Sequence, residues 1–496
     1  MKEFLDTALN TATANGADYA DIRISRHKNQ SIRTRENRIQ GISNSESYGF
    51  GVRVLVDGTW GFAASHRLTK NNVANITMRA MEIARANRVV QRIPIHLAEV
   101  ESYEAQWNSP IKKDPFEVSI NEKIDLLLTV NAEALKIKGA KYCSSSMLFM
   151  NEEKYFASTE GSVIHQNLHR AFPSFTVTAI DSERGEFETR TVDVLPMGLG
   201  YEYVEQSNLV EQAPKMAEEA VRKLTAKSVE PGPKDLILHP SHLWLTIHES
   251  VGHPTELDRA LGYEANYAGT SFLTVDKMGK LKFGSDIVNF IADKTITGGL
   301  ATCGYDDDGV KTTEWHLVKD GIFIDYQTTR DQVHWEKYQA ARKSAGLPEV
   351  NRSYGCSYGD SWSSIPFQRM PNIHLEPGKD TLTLDDLIAD TKDGIYIVGD
   401  ASYSIDQQRY NFQFSGQAFF EIKNGKIVGM LKDVAYQANT QEFWNSCDAI
   451  CDERSWELGG TYYDGKGQPG QSNAVSHGCS PARFRNVNIL NTQKQI

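Results

Sequence analysis

Nowhere in these 496 residues does an apolar run approach the ~18 consecutive residues of a membrane-spanning helix, so no membrane partner is expected. Excess positive charge is also missing: 53 Lys and Arg face 64 Asp and Glu, a formal net charge of -11. Binding to nucleic acid draws on clustered cations that release counterions, so nucleic acid is not an expected partner either. Cysteine is sparse. Cys143, Cys303, Cys356, Cys447, Cys451 and Cys479 are scattered, and the Cys447/Cys451 spacing has no second pair to complete a structural zinc cluster. That usage fits a reduced, cytoplasmic protein better than a disulfide scaffold. The opening Met1-Lys2-Glu3-Phe4-Leu5-Asp6 carries acids and no apolar core, and predicts no signal peptide. A Gly-x-Ser-x-Gly elbow and a P-loop are absent, which removes the commonest serine-hydrolase and nucleotide-triphosphatase readings.

What is present reads as a large α+β protein. A helix to about Asn15 precedes strands at 20–25 and 31–35, and Asp57-Gly58 joins two strands as a hairpin. Helical periodicity returns over 70–88, a linker is expected near 107–115, and a second helix over about 117–138. Strands follow at 143–150, 154–158, 163–168 and 170–181, then a helix over 208–226. Pro231-Gly232-Pro233 interrupts any ladder and is the clearest boundary. The expected division is a mixed α/β N-terminal domain over 1–230 and a mostly antiparallel β domain over 231–496. The second domain carries hairpins at Lys319-Asp320-Gly321 and Lys423-Asn424-Gly425-Lys426 and a helix near 331–343.

The chemistry concentrates at His248-Glu249-Ser250-Val251-Gly252-His253, which follows a strand at 235–239 and a helix capped by Ser241. Neutral imidazoles ligate zinc-like metals, and a carboxylate beside the first can serve as general base. Five-residue spacing leaves the two rings roughly 140° apart on a regular α-helix, too far round to share one ion. A π-turn, with i→i+5 periodicity, would restore a common face. Gly252 is expected to permit that distortion, and Pro254 to end the regular ladder.

A wider set of segments resembles the TldD/PmbA family of metalloproteases, once described as modulators of DNA gyrase. Gly49-Phe50-Gly51-Val52-Arg53-Val54 and Gly61-Phe62-Ala63 resemble its Gly-x-Gly-Val-Arg strand and the Gly-Phe-Ala that follows. Ser158-Thr159-Glu160-Gly161 is similar to its Asn-Ser-Glu-Gly turn, and Arg369-Met370-Pro371-Asn372 to its Arg-Met-Thr-Asn. Asp393-Gly394-Ile395-Tyr396, Ile422–Ile427 and Gly465–Gln471 follow in the family's order. Each piece alone is an ordinary turn or strand; the order and co-occurrence are specific.

The resemblance implies a metal-dependent peptidase acting on unfolded peptides inside a two-subunit chamber. The partner would be a second copy or a homologue lacking HExxxH. It implies one divalent metal per chain, zinc first, with iron or manganese open. His248 and His253 would be ligands and Glu249 the catalytic base. The family's third ligand is a cysteine directly before a Gly-Lys segment; here Asp464 stands at that place, before Gly465-Lys466. A carboxylate completes a known hydrolytic set with two histidines. Gly465 predicts a tight turn that aims Asp464 inward; the alternatives are a simple turn residue, or Cys479 as the ligand. His477 and Arg369 are neighbours for which a structural role is expected. The lost cysteine also leaves open a catalytically silent partner subunit or a protein-binding regulator.

Overall fold

The computed structural model describes residues 1–493. Its first sheet is built from β1 (Tyr19–Arg35), β2 (Arg38–Val56), β3 (Thr59–Ser65), β4 (Glu104–Asn108), β5 (Ala140–Ser158), β6 (Val163–Asp181) and β7 (Glu186–Thr191). The order is β3-β2-β1-β5-β6-β4, with β7 also on β6. Helices α1 (Lys2–Ala14) and α2 (Lys70–Asn87) cover one end through Leu5, Ala8, Val73 and Met81, packed on Ile22, Ile24, Val52 and Val54. Helix α3 (Ile120–Leu135), the short α4 (Tyr201–Gln206) and α5 (Leu209–Leu224) cover the remainder.

The strands run longer than their apolar alternation predicts. The segments expected at 20–25 and 31–35 are one strand, β1, paired along nearly its whole length with β2 on one side and β5 on the other. The segments expected at 143–150 and 154–158 fuse in β5, and those at 163–168 and 170–181 in β6. The gap in β5 is spanned by a buried, matched charge: Glu152 pairs with Lys154 and with Arg170 of β6. The linker expected at 107–115 begins instead inside β4, which runs parallel to β6, with Trp107 lying against Gly304 where a Cβ would fall 2.8 Å from its ring.

Beyond this sheet come β8 (Lys227–Ser228), β9 (Gly232–Leu238), α6 (Pro240–Ile247), β10 (Phe290–Asp293), β11 (Glu314–Lys319) and β12 (Ile322–Phe323). They are followed by β13 (Ser357–Tyr358), β14 (Phe367–Gln368), β15 (Asn372–Leu375), β16 (Asp393–Ile405), β17 (Asn411–Lys423) and β18 (Lys426–Lys432). Last are β19 (Val434–Asn439), β20 (Cys447–Ile450), β21 (Glu457–Lys466), β22 (Gln471–Cys479) and β23 (Ala482–Asn491). The Pro-Gly-Pro segment leads straight into β9, Pro233 taking an early strand position opposite Asn488, where a missing N–H is tolerated. The helix expected at 331–343 begins only at Glu336, because Trp335 before it is extended, at φ -62° and ψ 120°.

Two sheets organise this half. One runs β16-β9-β23-β19-β17 and closes on itself, since β16 also pairs with β17, leaving a five-stranded ring. The other runs β12-β11-β10-β15-β22-β21, so β21 is an edge strand. Pairing is antiparallel apart from β16–β9, β18–β8 and β15–β22, which gives the α+β architecture with its mostly antiparallel second half. Every residue of α6 is buried, as expected for a helix apolar all round, with Leu243, Ile247 and Val251 beyond it in the core with Leu236, Ile395 and Val475. The site sits at the C-terminal end of α6.

Candidate metal centre

Helix α6 starts with Pro240 at its first turn, and its cap is His239, whose ring accepts from the Ser241 N–H; Ser241 is not the cap. The Ser241 hydroxyl is turned instead to the Gly399 N–H, which it accepts at 2.9 Å. At His248 the ladder widens. Residues His248–Gly252 form a π-helical turn and His253–Thr255 a 3₁₀ turn, and the His253 N–H bonds to the His248 carbonyl, an i→i+5 bond. This is the distortion that five-residue spacing demands, and it brings the two ring centroids to 4.7 Å. Gly252 has a different part from the one expected. Its φ is -59°, open to any residue, but a Cβ there would lie 2.4 Å from Met370 Sδ. Close approach of the Met370 side chain, not backbone freedom, is what the glycine accommodates.

Asp464 arrives from β21. Its Oδ1 lies 3.7 Å from His248 Nε2 and 3.6 Å from His253 Nε2. Ligand atoms around a tetrahedral ion with bonds of about 2.0–2.1 Å stand about 3.3–3.4 Å apart, so Asp464 Oδ1 lies near that spacing from each of the two ring nitrogens. Glu249 lies beside them, with a carboxylate oxygen within 4.8 Å of the histidine nitrogens. The expected tight turn at Gly465 is absent. Gly465 continues the strand opposite Ser472, and the register with β22 slips between Thr461 and Asp464. The irregularity before Asp464, not a turn after it, accompanies its inward position. Cys479 is buried in the apolar core between Val475 and Ala482 along the chain and takes no part in this cluster. Cys447 and Cys451 are free thiols packed in two different apolar clusters.

The hydrogen bonds behind the rings decide what the rings present. His477 Nδ1 donates to the Ile373 carbonyl at 3.2 Å, so its Nε2 is an acceptor, and it takes the His248 Nδ1–H at 2.8 Å. His253 Nδ1 donates to Glu256 Oε2 at 3.1 Å. In both rings the second nitrogen, Nε2, is left with a bare lone pair facing Asp464 Oδ1. With both rings neutral, three lone pairs converge, an arrangement that a cation relieves, whether a metal ion or a proton on His248 Nε2. The residues present therefore fit a divalent ion, and two imidazoles with one carboxylate fit zinc.

Charges around the site hold this state. Burial works to raise the Asp464 carboxyl, but His253, His248 and Arg369 outweigh it and keep it below the usual carboxylate range. Arg369 donates to Asp464 Oδ2 at 3.2 Å and to the Asp464 carbonyl, which leaves Oδ1 for the histidines. Burial pushes His253 down to about 4 and holds it neutral. Burial also depresses His248, but Asp464 more than offsets this and draws it up. Behind His253, Glu256 is fully buried yet anionic, because Lys466 at 2.9 Å and Arg259 at 3.0 Å outweigh its desolvation.

Comparison with known proteins agrees with this geometry. Residues 231–491 match the PmbA/TldA metallopeptidase C-terminal domain, residues 20–84 its domain 1 and residues 113–227 its central domain. The chain belongs to the PmbA/TldD metallopeptidase family. Among relatives of this family, a metalloprotease of Methanocaldococcus jannaschii is 27% identical over 454 residues, 91% of this chain and 94% of that protein. A protein of Saccharolobus solfataricus named a zinc metalloprotease TldD homolog is 22% identical over 437 residues, 88% of this chain and 89% of the other. The fold matches a crystal structure from Thermotoga maritima, a putative modulator of a DNA gyrase, with a TM-score of 0.76 at 16% identity over 99% of this chain and 100% of that one. No helix among the described residues is long and apolar enough to cross a membrane.

In this PmbA/TldD chain, two residues at the site went unread in the sequence. Glu256 stands three positions after His253, the spacing that places a carboxylate behind a helical histidine, so a search for such a partner would have found it. Arg409 donates to Glu249 Oε2 at 2.6 Å from a turn 160 residues away, and nothing local in the sequence marks it. His477 and Arg369, expected to be structural neighbours, touch the site directly: one holds His248, the other Asp464.

Proposed function

We propose that this chain is a metal-dependent peptidase that hydrolyses unfolded peptides, using one divalent ion, zinc first, held by His248, His253 and Asp464. The observation that carries the reading is the convergence of two Nε2 lone pairs and Asp464 Oδ1 within 3.6–3.7 Å. A bound ion there supplies Lewis acidity toward the scissile carbonyl and acidifies water in the site. Glu249 accepts the proton of the attacking water and delivers it to the leaving amine. Arg409 fixes Glu249 through Oε2, so that Oε1 remains for the proton. His477 and Glu256 hold the ring tautomers that expose Nε2.

The preference for unfolded substrate follows from β21. It carries Asp464 and is an edge strand of its sheet, so an extended peptide can add to it by main-chain hydrogen bonds and pass the metal donors in register. A folded domain offers few free segments of that length. The assembly in this reading is a dimer, with a second copy or with a homologue lacking HExxxH, closing a chamber over the cleft. Supporting it, residues 38–48 of β2 pair only with β1 and are largely exposed on both faces, Ile39 and Ile42 among them. Free edges of this kind are where another chain adds. The free thiols suit a cytoplasmic setting.

Elemental analysis of the purified protein, combined with cleavage of one protein in folded and unfolded form, with and without chelator, tests the reading. The expected outcome is about one ion per chain and chelator-sensitive cleavage of the unfolded form. Absence of a stoichiometric ion, or equal rates on both forms, counts against it.

A further inference from the structure

A cavity of about 260 Å³ lies between the first sheet and the edge strand β21, reaching Tyr463, the neighbour of Asp464 along the chain. Its floor is Trp244, whose ring meets His248 edge-on with centroids 6.2 Å apart. One rim is Gly460–Tyr463, the stretch of β21 leading directly to Asp464. Across from it stand Phe172 and Leu195 from the N-terminal half. At about 3.3 Å per residue, a strand laid on β21 would present to this cavity a side chain one to three positions from the peptide bond beside Asp464.

The cavity holds two carboxylates, in different states. Asp193 is paired with Arg190, which donates to Oδ1 at 2.8 Å and to Oδ2 at 2.5 Å and is shared with Glu219 at 2.7 Å. Asp400 has no such partner. Among the described residues its carboxylate accepts the Trp244 indole N–H, at 3.3 Å, and its own backbone N–H, with no ion-pair partner. Burial pushes its carboxyl up, these two hydrogen bonds draw it down, and Asp193 pushes it up again; no cation contributes. The backbone fixes its place. Gly399 before it, at φ +71°, donates to Ser241 Oγ and accepts from His242 Nδ1, and a Cβ on Gly399 would lie 2.6 Å from the Gln417 side chain. A carboxylate with no ion-pair partner is thus pre-placed in the cavity, hydrogen-bonded to Trp244 one helical turn before His248.

We infer that this cavity is a side-chain subsite for a basic residue, lysine or arginine, flanking the scissile bond, with Asp400 as its specificity determinant. The inference rests on the peptidase reading and adds its substrate class. The methylene stem of the basic side chain lies along Phe172, Leu195 and the Trp244 face, and its cationic head reaches Asp400. The same head relieves the charge that the protein leaves unpaired. A neutral side chain of equal length fills the space without that gain, and an acidic one is repelled by Asp400.

The test compares unfolded peptides identical except for lysine, norleucine or glutamate at each of the three positions on either side of one cleavage site. The holoprotein is expected to favour lysine over norleucine about tenfold in kcat/KM at one of these positions, and to reject glutamate there. Asp400→Asn keeps an acceptor for the Trp244 N–H, and should bring the lysine to norleucine ratio close to one at unaltered metal content. A wild-type ratio near one at all positions, or a ratio unchanged in Asp400→Asn, overturns the subsite. Equilibrium binding of the same peptides to Glu249→Gln, with and without Asp400→Asn, reads the preference independently of turnover. If the parent protein cleaves none of the peptides while binding selectivity still depends on Asp400, the peptidase reading falls and the subsite stands; equal binding of all three peptides would sink the subsite alone.

Discussion

Arg409 Nη1 stands 2.6 Å from Glu249 Oε2, and the arginine reaches it from a left-handed backbone conformation with φ +63°. That conformation is uncommon outside glycine and asparagine. Here the Asp406 carbonyl accepts the Arg409 N–H, and the Thr440 hydroxyl donates to the Arg409 carbonyl at 2.9 Å. The turn between β16 and β17 is therefore built to place one guanidinium on one carboxylate. Glu249→Gln should keep the ion and lower kcat by about two to four orders of magnitude, the usual weight of a general base. Arg409→Ala should lower kcat by about 10–100-fold through misplacement of Glu249, with metal content unchanged. Full activity in Glu249→Gln removes that residue from the mechanism.

Metal affinity should respond to His477 although it is not a donor. His477→Ala deprives the His248 Nδ1–H of its acceptor and is expected to weaken binding about 10–100-fold. His477→Gln, with an amide oxygen in reach, should recover part of the loss. Competition titration against a chromogenic chelator reads both; equal affinity in His477→Ala and the parent protein would show that the ring orientation is set elsewhere.

Asp464 is the most discriminating position. Asp464→Ala should abolish stoichiometric binding, since two histidines alone lack both a ligand and its charge. Asp464→Cys should retain the ion and shift preference toward zinc over manganese, thiolate being the softer donor. Cys479→Ala should leave metal content unchanged, its sulfur being buried in the apolar core. Elemental analysis of the three proteins purified side by side decides.

Stability should fall on acidification between pH 6.5 and 4. Burial holds His239 and His242 down at about 4, against 6.5 as the ordinary value. Below pH 6.5 the unfolded chain takes up protons that the folded chain refuses, so stability is complete above that pH and drains away toward 4. The upper bound is roughly 3 kcal/mol per ring. Glu256 works in the same sense at lower pH, its depressed carboxyl favouring the fold above the ordinary glutamate range and losing that contribution as pH falls. His239→Asn keeps a capping acceptor and removes one titrating ring, so thermal midpoints between pH 7.5 and 4.5 should decline less steeply.

The site was more legible in the sequence than the sheets that hold it. The five-residue gap between His248 and His253 required a π-turn by geometry alone, and the π-turn is there. The place of Asp464 came from resemblance, and no local signal could have supplied it: its approach depends on a register slip between β21 and β22 that leaves no mark in composition. The long strands were cut short in the reading because a buried charge such as Glu152 looks like part of a solvated turn until its partners Lys154 and Arg170 are known. Gly252 and Gly465 were assigned backbone roles, whereas one makes room for Met370 and the other continues a strand.

The two halves of the site are far apart along the chain: His477 holds His248 across 229 positions. At about 5–20 residues per second of synthesis, the HExxxH segment emerges on the order of ten seconds or more before the strands that complete it. Until β21 and β22 exist, the histidines have neither their carboxylate nor the acceptor that fixes the first ring. On the proposed reading a growing or truncated chain would be no protease: ion binding would come late and report a finished fold, and the order of synthesis would shield the nascent protein from its own chemistry.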